Sequence, residues 1–264
     1  MKMESLKLEE MSVSETLLIP LLAKAKDSMS SAPIIRDSKS LEIAEQLEID
    51  KKRFEGGTIS DHGIIVRTEV LDNELRQLQR EYKKLTIINL GAGLDTRISR
   101  MDNQQLRWYE LDLPEVISLR RKFFNENERV TFIAKSVLDE SWINDIVVEE
   151  DCAVVVIAEG LLMYFTESEV RQIFTLLSKS FPKAHMLFDV VHTYFSGKSI
   201  SSQFLWGIDE AKDIEKLCNS IRLVDSWSTG NLHKEKQPLF LRMMNVMKST
   251  RNRSQILHIC FNKI

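Results

Sequence analysis

The sequence has little of what marks membrane-spanning, secreted or nucleic-acid-binding proteins. No apolar run approaches the ~20 residues that span a bilayer, and the N-terminal segment lacks the apolar core of a signal peptide. The net charge is −3, so the composition offers no basic surface for nucleic acid or for an anionic membrane. These absences predict a cytoplasmic protein without a nucleic-acid or membrane partner.

Cysteine and histidine are too few and too scattered to predict a metal site. Cys152, Cys218 and Cys260 lie far apart, and Cys152 and Cys260 fall in apolar, strand-like runs. Such cysteines are typical of reduced core residues in a cytosolic protein. The five histidines show no spacing that metal ligands use.

Hydrophobic residues make up 43% of the 264 residues, which is sufficient for one core with an additional elaboration. Apolar residues recur at helical spacing from Leu18 to Met29 and again from about Ile64 to Tyr82, with Ser40 as the predicted N-cap of a helix between them. From Leu85 onward, strands alternate with helices, a pattern typical of a largely parallel sheet. Strands are predicted near residues 85–90, 107–112, 130–134, 152–158, 184–190, 221–226 and 255–262.

The predicted fold is therefore α/β, with a doubly wound, mostly parallel seven-stranded sheet in residues 85–264. Residues 1–84 are predicted to form a helical lid across the site. Ligands of such sheets bind beyond the carboxyl ends of the strands, near the switch in strand order. We expect the functional residues at those strand ends.

The segment Ile88–Arg97 combines the end of a strand, a tight turn and the N-terminus of a helix. Gly91 and Gly93 let the backbone pass close to a ligand, and the following helix offers unpaired N–H groups. The dinucleotide fingerprint requires a third glycine, whose position Thr96 occupies. This turn favours a nucleoside without a pyrophosphate.

Two later strand ends supply polar groups that suit a nucleoside. Asp112 ends the second predicted strand, where an acid accepts hydrogen bonds from ribose hydroxyls. Glu110 is an alternative because it lies on the same face of that strand. The third strand ends at Ser136–Asp139, a polar place for the edge of an adenine. Together with the glycine turn, these features predict a site for S-adenosylmethionine.

Four ordered motifs resemble those of the leucine carboxyl methyltransferase superfamily, particularly its bacterial branch of polyketide O-methyltransferases. The motifs are Asn89–Arg97, Trp108–Val116, Ser136–Asp139 and Ala158–Tyr164, within a resemblance that runs from about residue 14 to 207. The resemblance implies a Rossmann-like class I methyltransferase fold with S-adenosylmethionine as cofactor. Separately, the segment of about residues 192–216 is too polar for the core and too aromatic for a linker, which predicts an acceptor-side flap.

The resemblance further implies which residues bind the cofactor. At the strand ends these are Gly91, Ala92, Gly93, Asp112, Leu113, Ser136, Val137 and Glu159. A basic pair from the lid, Lys24 and Arg67, is expected to bind the cofactor's carboxylate. The residues alone leave structural roles open, which require no ligand. A buried carboxylate such as Glu159 also fits a structural ion pair, and Asp95 or Thr96 fits a helix cap. Arg97 is predicted to pair with a neighbouring acid.

Tyr164 and His192 are the candidate catalytic residues on the acceptor side, with Tyr194 as a further candidate. A carboxylate acceptor is ionised at neutral pH and requires no base. A phenol or alcohol requires one, and His192 is the first candidate because imidazole is the side-chain group suited to proton transfer near neutral pH. The structural alternatives are packing for the tyrosines and a strand-end hydrogen bond for His192.

The predicted function is methyl transfer from S-adenosylmethionine to a carboxylate or hydroxyl of a small, polyketide-like acceptor. A protein C-terminal carboxyl methyltransferase, a non-catalytic cofactor-binding module and a nicotinamide dehydrogenase remain as alternatives. The aromatic flap and the lack of long insertions favour a small, partly apolar acceptor. The oligomeric state does not follow from the sequence.

Overall fold

Three helices and two short strands precede the main sheet in the computed structural model, which describes residues 6–7, 15–48, 57–196 and 204–261. The elements are β1 (Leu6–Lys7), α1 (Leu18–Ser28), α2 (Ser38–Gln46), β2 (Leu47–Glu48) and α3 (Gly57–Glu81). The side chain of Asp37 accepts a hydrogen bond from the Ser40 backbone N–H at 2.9 Å. Asp37 is thus the N-cap of α2, and the prediction of Ser40 is wrong because Ser40 already lies in the first helical turn.

The predicted strands all form within the described residues; residue 262, the predicted end of the last strand, and residues 197–203 of the predicted flap lie outside them. They are β3 (Leu85–Leu90), β4 (Arg107–Asp112), β5 (Val130–Ala134), β6 (Ala153–Ala158), β7 (His185–Val191), β8 (Ile221–Ser228) and β9 (Ser254–Phe261). The remaining helices are α4 (Arg97–Met101), α5 (Pro114–Arg120), α6 (Glu167–Ser180), α7 (Leu239–Met244) and α8 (Lys248–Arg251).

The seven strands of the main sheet lie in the order β5-β4-β3-β6-β7-β9-β8. The first five are parallel, and β9 runs antiparallel to both β7 and β8. Because β3 lies between β4 and β6, the strand order reverses at β3. The structure confirms the doubly wound, mostly parallel sheet and places its switch point at the glycine turn that follows β3.

Two apolar clusters cover the two faces of the sheet. Alternate residues of β3 point to opposite faces, so Ile88 joins the cluster under α6 and Ile87 joins the cluster under α3. β6 is buried on both faces, which explains its unbroken apolar sequence. The helices and strand ends around the switch point are therefore fixed by packing on both sides.

No disulfide links the three cysteines, each of which is a half-buried free thiol. Within the described residues, no group of three His, Cys, Asp or Glu side chains is arranged to hold a metal ion. Every helix in the same part of the chain is too short or too polar to span a bilayer.

Two histidines bond to each other at the amino-terminal edge of the sheet, beneath the end of α3. His185 Nδ1 lies 2.9 Å from His258 Nε2, and the Tyr82 hydroxyl lies 3.1 Å from His185 Nε2. Glu74 of α3 lies 3.1 Å from His258 Nδ1. This chain of hydrogen bonds links α3 to β7 and β9.

The His185 imidazole is expected to reduce the stability of the protein as the pH falls from about 7 to about 5.5. Burial and the neighbouring His258 lower the pKa of His185 from its ordinary value of 6.5. Between its folded and unfolded pKa values the unfolded chain binds more protons at this residue than the folded one, so the contribution of His185 to the free energy of unfolding falls with the pH. His62, whose pKa burial also lowers, acts in the same direction, whereas Glu110, whose pKa burial raises to about 7, acts in the opposite direction. Thermal midpoints of the protein and of His185→Gln are therefore compared across this range: the variant is expected to lose less stability on acidification, and equal changes in the two proteins would contradict the assignment.

Candidate functional site

A cavity of about 530 Å³ lies at the carboxyl ends of β3, β4 and β6. Its size is within the range of small-molecule sites. The wall is formed by the glycine turn, the ends of β4 and β6, and residues of α1 and α3. Predicted residues in the wall are Lys24, Arg67, Gly91, Ala92, Gly93, Asp112, Leu113, Glu159 and Tyr164.

The glycine turn needs both of its glycines. Gly91 and Gly93 have φ angles of 63° and 48°, a region that side chains with a Cβ disfavour. A Cβ on Gly91 would also lie 2.6 Å from Leu161 Cδ1. The N–H of Ala92 donates to the Leu111 carbonyl at 3.1 Å, which ties the turn to β4. The backbone is therefore open to a ligand and held in place.

Asp112 lies in the cavity wall against this turn. Its two carboxylate oxygens accept hydrogen bonds from the backbone N–H groups of Gly93 at 2.8 Å and Leu113 at 2.7 Å. Burial raises the pKa of Asp112, while these two donors oppose the rise. The carboxylate keeps free lone pairs for hydroxyl groups in the cavity.

Glu110, the alternative to Asp112, lies outside the cavity wall. It is fully buried and accepts hydrogen bonds from Arg120 Nη2 at 2.7 Å and Asn89 Nδ2 at 2.8 Å. Burial raises the pKa of Glu110 to about 7, and the charge of Arg120 opposes that rise. Arg120 Nη1 also donates to the Gly93 carbonyl at 3.0 Å. Glu110 and Arg120 thus brace the glycine turn from behind, a role that the sequence did not reveal.

Arg97 is the centre of a buried network of charges. Its guanidinium, which is 0% exposed, donates to Asp72 at 2.8 Å, to Asp95 at 2.5 Å and to Glu159 at 2.5 Å. Burial opposes the charge of Arg97, but the three carboxylates raise its pKa well above the usual value. The prediction that Arg97 pairs with a neighbouring acid is confirmed.

A second arginine extends the network to α2. Arg100 donates to Asp37 at 2.6 Å and to Asp72 at 2.9 Å. The Thr96 hydroxyl donates to Asp37 at 2.5 Å and does not cap α4; the first N–H of that helix, on Arg97, bonds Asp95 instead. The helices of residues 15–81 are therefore joined to the glycine turn by buried ion pairs as well as by apolar contacts.

Glu159 lies at the end of β6 and is held on both oxygens. One oxygen accepts from Arg67 Nε at 3.0 Å and from the Thr68 hydroxyl at 2.9 Å, and the other accepts from Arg97. Burial alone would raise the pKa of Glu159, but the two guanidinium groups lower it to about 2. The structural ion pair that the residue pattern allowed is present, and Glu159 also lines the cavity.

Lys24 of α1 and Arg67 of α3, the predicted basic pair, both lie in the wall near this carboxylate. Arg67 also donates to Asp189 at 2.8 Å, and Lys24 Nζ lies 3.3 Å from Asp95. Gly160 has a φ of 66°, and a Cβ there would lie 3.2 Å from Arg67 Nη2. Asp189 was expected at the crevice among the strand ends, since it falls near the end of the strand predicted over residues 184–190, but its local sequence did not indicate the ion pair with Arg67.

The structure does not bring Ser136, Val137 or His192 into the cavity wall. Ser136 Oγ accepts from the Leu138 N–H at 3.2 Å, so its side chain closes a local turn. The Val137 carbonyl accepts from Trp142 Nε1 at 3.1 Å.

His192 caps a turn of 3-10 helix at the end of β7. Its Nδ1 accepts from the Tyr194 N–H at 3.1 Å and lies 3.3 Å from Asp209. This is the strand-end hydrogen bond that was the structural alternative for His192. Tyr194 is exposed and likewise lies outside the wall of the cavity.

Tyr164 brings an aromatic ring to the cavity wall. The Tyr164 ring meets the Phe204 ring edge to face with centroids 5.5 Å apart, and burial raises the pKa of the Tyr164 hydroxyl. The hydroxyl is therefore a neutral donor at physiological pH. Apolar and aromatic residues of the wall include Ile19, Pro20, Ile64, Met163, Tyr164 and Phe204.

Comparisons with known proteins agree with this geometry. The family model for leucine carboxyl methyltransferase matches residues 13–178, more than half of the chain. The tetracenomycin polyketide synthesis O-methyltransferase TcmP of Streptomyces glaucescens is 27% identical over 82% of this chain and 83% of its own. The S-adenosyl-L-methionine-dependent methyltransferase dpfgK of Gibberella zeae is 29% identical over 76% of this chain and 77% of its own.

Solved structures share the fold. A protein from Thermobifida fusca described as a methyltransferase superimposes with a TM-score of 0.55, at 14% identity, over 92% of this chain and 94% of its own. Magnesium protoporphyrin IX methyltransferase from Synechocystis with bound S-adenosylmethionine gives 0.51, at 11% identity, over 89% and 100%. The chain belongs to the leucine carboxyl methyltransferase family and is an S-adenosylmethionine-dependent methyltransferase.

Proposed function

We propose that the protein transfers the methyl group of S-adenosylmethionine to an oxygen of a small, largely apolar acceptor. The observation that carries this proposal is a single cavity wall with two kinds of lining residue. We call the glycine and charged residues at the strand ends the polar end, and Met163, Tyr164 and Phe204 the apolar end. A cofactor and an acceptor of different polarity would thus meet inside a single enclosure.

The residues of the polar end fit the cofactor's nucleoside. Asp112 is placed to accept from ribose hydroxyls, and Gly91 and Gly93 let the nucleoside approach the backbone. For the adenine, Leu113 and Val116 are better placed than Ser136 and Val137, because they line the cavity.

The same end also fits an amino-acid group. Glu159 is the partner we assign to its ammonium, and Lys24 with Arg67 to its carboxylate. S-adenosylmethionine, when bound, supplies an electrophilic methyl group on a positively charged sulfur. The negative charge of Glu159 favours such a cation nearby.

The apolar end fits a hydroxylated ring better than an acid. Among the described residues of the wall, Lys24 and Arg67 are the cations, and both are assigned to the cofactor's carboxylate. An acidic acceptor would therefore find no further cation in the wall. Ile64, Met163 and Phe204 exclude water from the reacting oxygen and hold the acceptor in line, which is worth about 7–11 kcal/mol in well-oriented systems.

A transfer assay with matched acceptors tests the proposal. Release of S-adenosylhomocysteine is measured with a planar hydroxylated aromatic, with the same compound already O-methylated, and with a peptide ending in leucine. We expect release only with the free hydroxyl. Turnover with the peptide alone would favour the protein carboxyl methyltransferase, and cofactor binding without turnover on any oxygen acceptor would contradict the proposal.

Two variants separate the catalytic candidates. Tyr164→Phe removes the hydroxyl from the apolar end and is expected to lower kcat about tenfold, the loss of ~1.4 kcal/mol of transition-state stabilisation. His192→Ala is expected to lower kcat by much less than the ~100-fold that loss of a general base causes, because His192 lies outside the wall. Cofactor affinity serves as the control in both. A large loss confined to His192→Ala would show that the histidine reaches the acceptor.

A further inference from the structure

The connection between β8 and β9 exposes an unusual amount of apolar surface. Among the described residues, fourteen large apolar side chains are exposed, and six of them fall between Leu239 and Met247. We call these six the apolar ridge: Leu239, Phe240, Met243, Met244, Val246 and Met247, with exposures of 49–81%. An apolar patch of this kind on a protein surface marks an interaction site.

The ridge is one side of an ordered structure. Leu241, on the opposite side of α7, is 1% exposed and packs inward. Asn245 is buried and donates to the Gly230 carbonyl at 3.2 Å and to Gln237 Oε1 at 2.8 Å. These contacts hold the turn that follows α7. The apolar side chains are therefore presented to solvent by a fixed backbone.

The same connection is strongly basic. From Lys234 to Arg253 the sequence contains six Lys or Arg residues and one Glu, a net charge of +5. The rest of the chain carries −8. The overall charge of −3, from which no basic surface was predicted, is therefore the sum of two parts of opposite sign. Lys234, Lys236 and Arg242 are exposed. A positive potential thus surrounds the ridge.

The ridge lies on the cavity's side of the sheet. β8 and β7 are each antiparallel to β9, so β8 runs in the same direction as β7. The connection that leaves β8 at Ser228 therefore emerges at the carboxyl edge, where the cavity opens. A surface that docks on the ridge would be close to the cavity.

We propose that this connection docks the protein on a lipid surface with anionic headgroups. The six side chains of the ridge protrude, since about half or more of each is exposed. A protein partner would have to supply a groove that matches them. Lipid acyl chains are fluid and accept an apolar ridge of any shape. Flanking Lys and Arg residues would meet the anionic headgroups, as in other interfacial segments. Docking itself does not depend on the proposed acceptor, although a lipid-dissolved apolar acceptor would then be delivered near the cavity.

Vesicle sedimentation tests the docking. The full chain is mixed with phosphatidylcholine vesicles that contain or lack phosphatidylglycerol. We expect the partition coefficient to rise more than about tenfold with phosphatidylglycerol, since each basic residue near an anionic surface contributes several-fold. Arg242→Glu is expected to lower this gain, and Phe240→Ser with Met243→Ser to abolish binding to both vesicles.

A matched control removes exposed apolar side chains elsewhere. Val147 and Val148 are exposed in the connection before β6, at the opposite edge of the sheet, and Val147→Ser with Val148→Ser is expected to leave binding unchanged. Absence of binding, or equal binding with and without phosphatidylglycerol, would overturn the proposal. So would a dimer in sedimentation velocity that only Phe240→Ser with Met243→Ser dissociates, because the ridge would then be an interface between two copies.

Discussion

Replacing Arg97 with methionine is expected to lower the free energy of unfolding by about 3–5 kcal/mol. Methionine matches the length of the arginine stem, so packing is largely kept and the loss is mainly electrostatic. Asp72, Asp95 and Glu159 would lose a shared cation in a place where Arg97 is 0% exposed. Each carboxylate keeps one other basic partner (Arg100, Lys24 and Arg67), but the same buried negative charges then share one cation fewer, which is strongly destabilising.

Arg129→Met is the matched control. Arg129 also pairs with a carboxylate, Asp102, through contacts at 2.9 and 3.1 Å, but both side chains are partly exposed. Water compensates for the loss of such a pair, so a much smaller change is expected. Urea unfolding followed by circular dichroism measures both variants. Equal effects of the two substitutions would mean that burial does not determine the strength of the Arg97 network.

A second variant distinguishes the network from packing. In an Arg97→Met background the buried carboxylates outnumber their cations, so Asp72→Asn, which removes one carboxylate, is expected to restore part of the lost stability. Asp72→Asn alone is expected to destabilise, because Arg97 and Arg100 both bond that carboxylate. Such opposite signs are the mark of direct coupling in a double-mutant cycle. Additive losses would contradict it.

The sheet was predictable from the sequence because its signals are local. The unbroken apolar run of β6 requires burial on both faces, and the glycine turn after β3 combines three local signals within ten residues. Each strand can therefore be predicted from its own sequence, without knowledge of the strands beside it. The cap of α2 is the exception, since Asp37 and Ser40 are both good capping residues and only the backbone distinguishes them.

The site was less predictable because its contacts are distant in sequence. Arg67 bonds Glu159 and Asp189, which lie 92 and 122 residues away. Strand periodicity cannot choose between Glu110 and Asp112, which share a face; Arg120, on the following helix, takes the first and leaves the second for the cavity. His192 carried a chemically plausible role, but the hydrogen bond from the Tyr194 N–H occupies its Nδ1.

Asp112→Asn is expected to weaken binding of S-adenosylhomocysteine about 10- to 100-fold, the range for a hydrogen bond to a charged group. Titration calorimetry measures the affinity. A second ligand makes the test specific: the analogue that lacks the ribose 2′-hydroxyl is expected to bind the unmodified protein more weakly than the parent compound. In Asp112→Asn the two ligands are expected to differ much less, because the charge of the acceptor is lost and the one amide oxygen that remains is needed by the N–H of Gly93 or Leu113.

Glu110→Gln supplies the contrast, since it changes the other acid of β4 by the same chemistry. Glutamine keeps one acceptor oxygen, which can serve Arg120, and loses the oxygen that accepts from Asn89, while position 110 lies outside the cavity wall. The parent compound is therefore expected to keep its affinity and its advantage over the 2′-deoxy analogue. If Glu110→Gln removed that advantage and Asp112→Asn preserved it, the ribose would lie against the face that Arg120 now occupies, and the assignment of the cavity's polar end to the nucleoside would be wrong.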